Sequence, residues 1–146
     1  LLQGNGDGAA PERTTMVGDR EVAFGDFSHA LLGILDATAR PTTAALGRLR
    51  AGDVDGFTAA MARCEALGQH VFCAPTQHYK AGLAFLAWLN GQQDNSLLVN
   101  REDLARDRAH YLRCAELARA AGCVRDEATF AARLAEFAAA PWPPEV

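Results

Sequence analysis

Two histidine–cysteine pairs stand out for their spacing: His70 with Cys73, three residues apart, and His110 with Cys114, four apart. On an α-helix such steps put both side chains of a pair on one face. Were the two helices to face each other, two imidazoles and two thiolates could enclose zinc tetrahedrally. The short Cys-x-x-Cys knuckles common in zinc sites are missing, however, and cysteine packs readily as a small apolar group. Packed thiols and histidines at helix margins are the simpler expectation, so no metal ligand is assigned.

Lys80 is the only lysine, and it follows His78 and Tyr79. A desolvated lysine amine can form a Schiff base with a carbonyl substrate, and a tyrosine can relay its protons. Neighbours on a helix point about 100° apart, so Tyr79 and Lys80 do not converge. A packed stem with its head in water is the better reading of Lys80. Gly4-Asn5-Gly6-Asp7-Gly8 lacks the Gly-Lys-Ser/Thr ending of a phosphate loop and reads as a surface loop. Cys64, Cys73 and Cys123 show no paired histidine and carboxylate, and Asp103 and Asp107 are read as solvating a helix face. No catalytic residue and no cofactor site is assigned.

The elements that carry these residues are mainly helical. Residues 1–27 read as irregular, with six glycines and prolines breaking any period: Gly4, Gly6, Gly8, Pro11, Gly18 and Gly25. The run Ala30–Leu35 fits a buried strand or a helical turn, which period alone does not separate. Pro41 suits the first turn of a helix ending at Gly52. Asp53 caps a long helix with Phe57, Met61, Cys64, Leu67 and Val71 on its inner stripe. After Pro75 another helix runs from about Thr76 to Asn90, apolar nearly all round from Leu83 to Leu89. Asn100 with Asp103 suggests the start of a further helix bearing Leu104, Tyr111, Ala115 and Ala118, closed by Gly122. Asp126 caps a last helix with Phe130, Leu134 and Phe137, and Pro141, Pro143 and Pro144 stop it.

Bulk properties bound the role. At 146 residues with 22% charged and 49% apolar side chains, the chain fits one globular domain. A net charge of −4, with its arginines scattered among 18 acids, argues against nucleic-acid binding. The apolar run Leu83–Leu89 is too short to span a membrane, and the opening shows no secretory signal. The four cysteines lack a disulfide framework, so reduced thiols and a cytoplasmic setting are expected. A start at Leu1 fits a partial chain.

Several stretches carry a resemblance. They are Ser28–Asp36, Ala51-Gly52-Asp53, His70–Lys80 with its Ala74-Pro75-Thr76-Gln77 core, and Phe85–Gly91 with Trp88-Leu89-Asn90-Gly91. Over about Ser28 to Val124 the chain resembles the C-terminal part of an uncharacterised family of dihydrodipicolinate synthase-like proteins, within the superfamily of N-acetylneuraminate lyase. The resemblance implies a (β/α)₈ barrel followed by extra helices. Ala30–Leu35 would be the eighth barrel strand and Pro41–Ala51 the eighth helix, with Asp36 near the barrel mouth. The Schiff-base lysine and tyrosine of such enzymes would lie upstream of Leu1, so Lys80 does not inherit that role.

The expected organisation is therefore an irregular segment 1–27, a last barrel strand and helix 28–52, a helical extension 53–140 and a tail 141–146. The chain is expected to be structural and catalytically incomplete, with the rest of a barrel or a homo-oligomer as partner. Two alternatives stand beside it: a free-standing helical module binding through Leu83–Leu89, and a zinc-stabilised bundle.

Overall fold

The computed structural model describes strand segments 2–3, 14–17, 20–23 and 29–30 and the stretch 32–143, with side chains described from Gly33 onward. The phosphate-loop candidate Gly4–Gly8 lies outside the described residues. Two units divide between Leu32 and Gly33.

In the first unit, β1 (Leu2–Gln3) pairs antiparallel with β4 (His29–Ala30), and β2 (Thr14–Val17) with β3 (Arg20–Ala23). Residues 1–27, expected to be irregular, include the short strands β1, β2 and β3; Thr14, Thr15, Val17 and Val22 are β-favouring residue types.

The second unit is built of α1 (Leu35–Arg50), α2 (Val54–Val71), α3 (Tyr79–Leu89), α4 (Arg108–Ala120) and α5 (Glu127–Ala139). The expected strand over 30–35 does not form. Among the described residues His29–Ala30 is extended, Leu32–Ile34 is a 3₁₀ turn, and α1 starts at Leu35. Pro41 accordingly lies inside α1 and not in its first turn. Tertiary packing explains both differences. Ile34, Thr38, Thr42 and Ala45 are buried at helical spacing, and Ile34 lies over Gly68 of α2. Burial of that face outweighs the single N–H that Pro41 withholds. Within this unit α1 packs along α2 and α3.

Other ends follow the sequence closely. Asp53 accepts from Gly56 N at 2.8 Å and Asp126 from Thr129 N at 2.8 Å, capping α2 and α5. Gly52 and Gly122 take positive φ, of 82° and 73°, where a Cβ is strained. The start of α4 is a correction. Arg101 adopts φ 58°, a 3₁₀ turn follows at Glu102–Ala105, and α4 begins only at Arg108. Asp107 is its cap, accepting from His110 N at 2.7 Å. Asp103, expected on a solvated face, is buried and accepts from Leu98 N and the Arg101 guanidinium.

α3 is the centre of the unit. Ala81, Gly82, Phe85, Leu86 and Leu89 are buried, with α1, α2, α4 and α5 all packed against it. Within Leu83–Leu89, Phe85, Leu86 and Leu89 are buried by these neighbours, while Leu83, Ala84, Ala87 and Trp88 are partly buried. Full burial of a side chain such as Phe85 or Leu89 contributes about 1.5–3 kcal/mol. Among the described residues, no helix is long and apolar enough to cross a membrane.

Candidate functional site

Both histidine–cysteine pairs meet where α2 packs on α4. His70 sits in the last turn of α2, and Cys73 just beyond it. His110 and Cys114 lie on successive turns of α4. The two imidazoles stack with centroids 4.3 Å apart and planes 22° apart. His70 Nε2 donates to the His110 carbonyl at 3.0 Å. Cys114 Sγ lies 3.6 Å from His110 Nε2, and Cys73 Sγ 3.9 Å from His110 Nδ1. A neutral imidazole has one N–H and one lone pair, so His110 donates to one thiol and accepts from the other.

Burial sets the protonation of the cluster. Desolvation first, then the neighbouring His70 and Arg106, bring His110 down to about 4, against a smaller opposite pull from Asp107. Its ring is therefore neutral at pH 7, with a lone pair available. Desolvation and Cys73 push Cys114 up to about 12, so its sulfur is a protonated thiol and a poor nucleophile.

Arg106 holds this corner together. It is buried, and its guanidinium donates to the carbonyls of Ala74 at 2.8 Å, Cys73 at 2.7 Å and Pro75 at 2.9 Å. One side chain thereby ties the turn after α2 to the segment before α4 and fixes Cys73. Two further arginines act alike. Arg133 donates to the carbonyls of Trp88 in the last turn of α3 and of Gln93 beyond it, and Arg108 to those of Ala138 and Ala140 at the end of α5. Carbonyls at helix C-termini lack intrahelical partners and carry partial negative charge, which a guanidinium satisfies. Sequence reading treated the arginines only as scattered charge, and nothing local marks which carbonyls each would reach.

The chain belongs to a protein family. Its family is the one described as protein of unknown function (DUF993), matched over residues 13–140. No curated protein matches the chain.

Within this family member the remaining candidates are spread apart. Lys80 is exposed, while Tyr79 turns away to stack on Phe72 at 4.7 Å. Asp36 is exposed on the first turn of α1. Cys64 and Cys123 are buried, and burial raises both thiols, Cys123 to about 12. An aromatic cavity bounded by Phe85, Tyr111, Phe137 and Trp142 measures about 100 Å³. That is well below the roughly 300–1,000 Å³ of a small-molecule site. The histidine–cysteine cluster is the one place, among the described residues, where three or more histidine, cysteine or acidic side chains converge.

Proposed function

We propose that this chain is the C-terminal helical portion of a dihydrodipicolinate synthase-like barrel protein, acting as a buttress and not as a complete catalyst. The observation that carries the reading is the resemblance over Ala74-Pro75-Thr76-Gln77…Tyr79-Lys80 and Trp88-Leu89-Asn90-Gly91. Those stretches bracket α3, the helix on which the others pack. Arg106 holds the first, and the second is held by Arg133 and by Arg125 N donating to Asn90 Oδ1 at 2.8 Å. Residues of such specific type at both ends of a central helix support an architectural role for the match. The exposed amine of Lys80 supports the second half of the proposal, since a Schiff-base lysine works from a desolvated setting.

On this reading the partners are the barrel strands of a longer polypeptide and further copies of it. The reaction of the intact protein is carbonyl chemistry of the lyase or aldolase type. The setting is the cytoplasm, supported by four unpaired cysteines. The test is borohydride trapping with pyruvate, read by mass spectrometry of peptides. The 146-residue chain is expected to give no adduct, and the polypeptide encoded with its upstream sequence to give one on a lysine before Leu1. An adduct on Lys80, or an upstream sequence without barrel strands, overturns the proposal.

A further inference from the structure

We propose that His70, His110 and Cys114 form a binding site for a thiophilic d¹⁰ cation, zinc(II), with Cys73 as its outer partner. One donor atom from each of the three lies within 4.8 Å of the other two. With Zn–S near 2.3 Å and Zn–N near 2.05 Å, a sulfur–nitrogen edge of a tetrahedron is about 3.6 Å long. Cys114 Sγ and His110 Nε2 stand 3.6 Å apart. These two are four residues apart on α4, so the helix itself sets the edge.

The third donor comes from α2 with its tautomer already chosen. Because His70 Nε2 donates to the His110 carbonyl, Nδ1 keeps the lone pair. A ligating histidine whose other nitrogen donates to a backbone carbonyl is the usual outer arrangement of metal sites. Cys73 completes the pattern at the opposite edge of His110. One ring cannot offer both nitrogens to one ion, so with Nε2 on the metal, Nδ1–H points to Cys73 Sγ. Cys73 is thus a positioning residue and not a ligand.

Binding has two structural consequences. The S–Zn bond replaces the Cys114 S–H bond, and that proton passes to solvent. An imidazole lone pair lies in the ring plane, so a shared ion requires the near-parallel stack of His70 on His110 to open. His70 is only half-buried and closes the cluster on its outer side, so it is the group free to tilt. The remaining ligand position is filled by water. The inference is independent of the barrel reading, since it uses no residue outside this helical unit.

The experiment is a cobalt(II) titration of the reduced full chain, followed by zinc. A thiolate-to-cobalt charge-transfer band is expected in the near ultraviolet, with strong visible ligand-field bands, both abolished by one equivalent of zinc. Cys114→Ser removes the charge-transfer band. Because Cys114 is in the core, His70→Gln provides a second, half-exposed variant. It lowers affinity by at least the roughly 10- to 100-fold that loss of an outer partner alone costs. Cys73→Ser keeps the charge-transfer band but weakens binding by about 10- to 100-fold. Histidine ring NMR signals shift on zinc addition as the stack opens. No charge-transfer band in the reduced chain, a band that survives Cys114→Ser in the folded protein, or undiminished affinity in His70→Gln overturns the proposal.

Discussion

The two flanks of α4 are buried alike but furnished differently. Toward α2 it presents His110 and Cys114 to His70 and Cys73. On the other flank Tyr111 joins an aromatic cluster with Phe85 and Phe137, ring centroids 4.9 and 4.7 Å from Phe85. Trp142 completes that cluster, 5.5 Å from both Tyr111 and Phe137. Aromatic rings fill space and need few polar partners; Tyr111 satisfies its hydroxyl by donating to the Asp103 carbonyl at 2.6 Å. Imidazoles and thiols fill the same kind of space less cheaply, because each nitrogen requires a partner once desolvated. Of two contacts that could both have been closed with leucine and phenylalanine, only one retains groups able to ligate. That contrast points to the α2–α4 corner as functional and to the aromatic flank as structural.

The largest expected effect breaks the aromatic side. Phe85→Ala empties a fully buried ring position and is expected to cost about 3–5 kcal/mol in urea-denaturation free energy. A loss under about 1 kcal/mol means that this cluster is not the structural anchor. Next is the clamp on the other side. Arg106→Met leaves three backbone carbonyls without their donor, an expected loss of about 3 kcal/mol. It also frees the turn bearing Cys73, read as faster thiol labelling of Cys73 than in the unsubstituted protein, with Cys123 unchanged.

A pH experiment separates the two flanks further. The folded pKa of His110, about 4, lies below the ordinary 6.5. Between those values the unfolded chain binds a proton that the folded chain does not, so stability falls as pH drops from 6.5 and levels off below 4. With allowance for solvent access to the half-buried ring, the expected loss is about 1–2 kcal/mol. His110→Gln should remove that share of the slope; an unchanged slope assigns it elsewhere.

The smallest effects come from the caps. Asp126→Ala and Asp107→Ala are each expected to cost about 1 kcal/mol, at α5 and α4 respectively. They differ in one readout. Asp107 is also the charge that raises His110 against the other influences, so only its removal should lower the His110 midpoint further, as followed by NMR. Equal His110 titrations in the two variants would show that Asp107 acts as a cap alone.

What could be read before any fold was known depended on distance along the chain. Caps and stops at Asp53, Gly52, Asp126 and Gly122 are bonds or dihedrals within a few residues, and they stand where the residue types put them. The apolar girth of α3 likewise announced that it would be surrounded. Where local signals competed with packing, packing prevailed. Ala30–Leu35, which period left open between strand and helical turn, is helical from Leu32 onward; Asn100 and Asp103 have a capping spacing, yet Asp103 is buried among loop donors.

The candidate site shows the same division within a single motif. The step His110–Cys114 by itself determined that this pair shares a helical face, whereas α2 ends at Val71, so Cys73 lies beyond the helix that carries His70. Only the tertiary structure decided that the end of α2 meets this face, that Cys73 falls on the far edge of His110, and that Arg106 reaches three carbonyls more than thirty residues back. The physical reason is that a helical face follows from backbone periodicity, whereas contact between faces follows from burying all the helices at once.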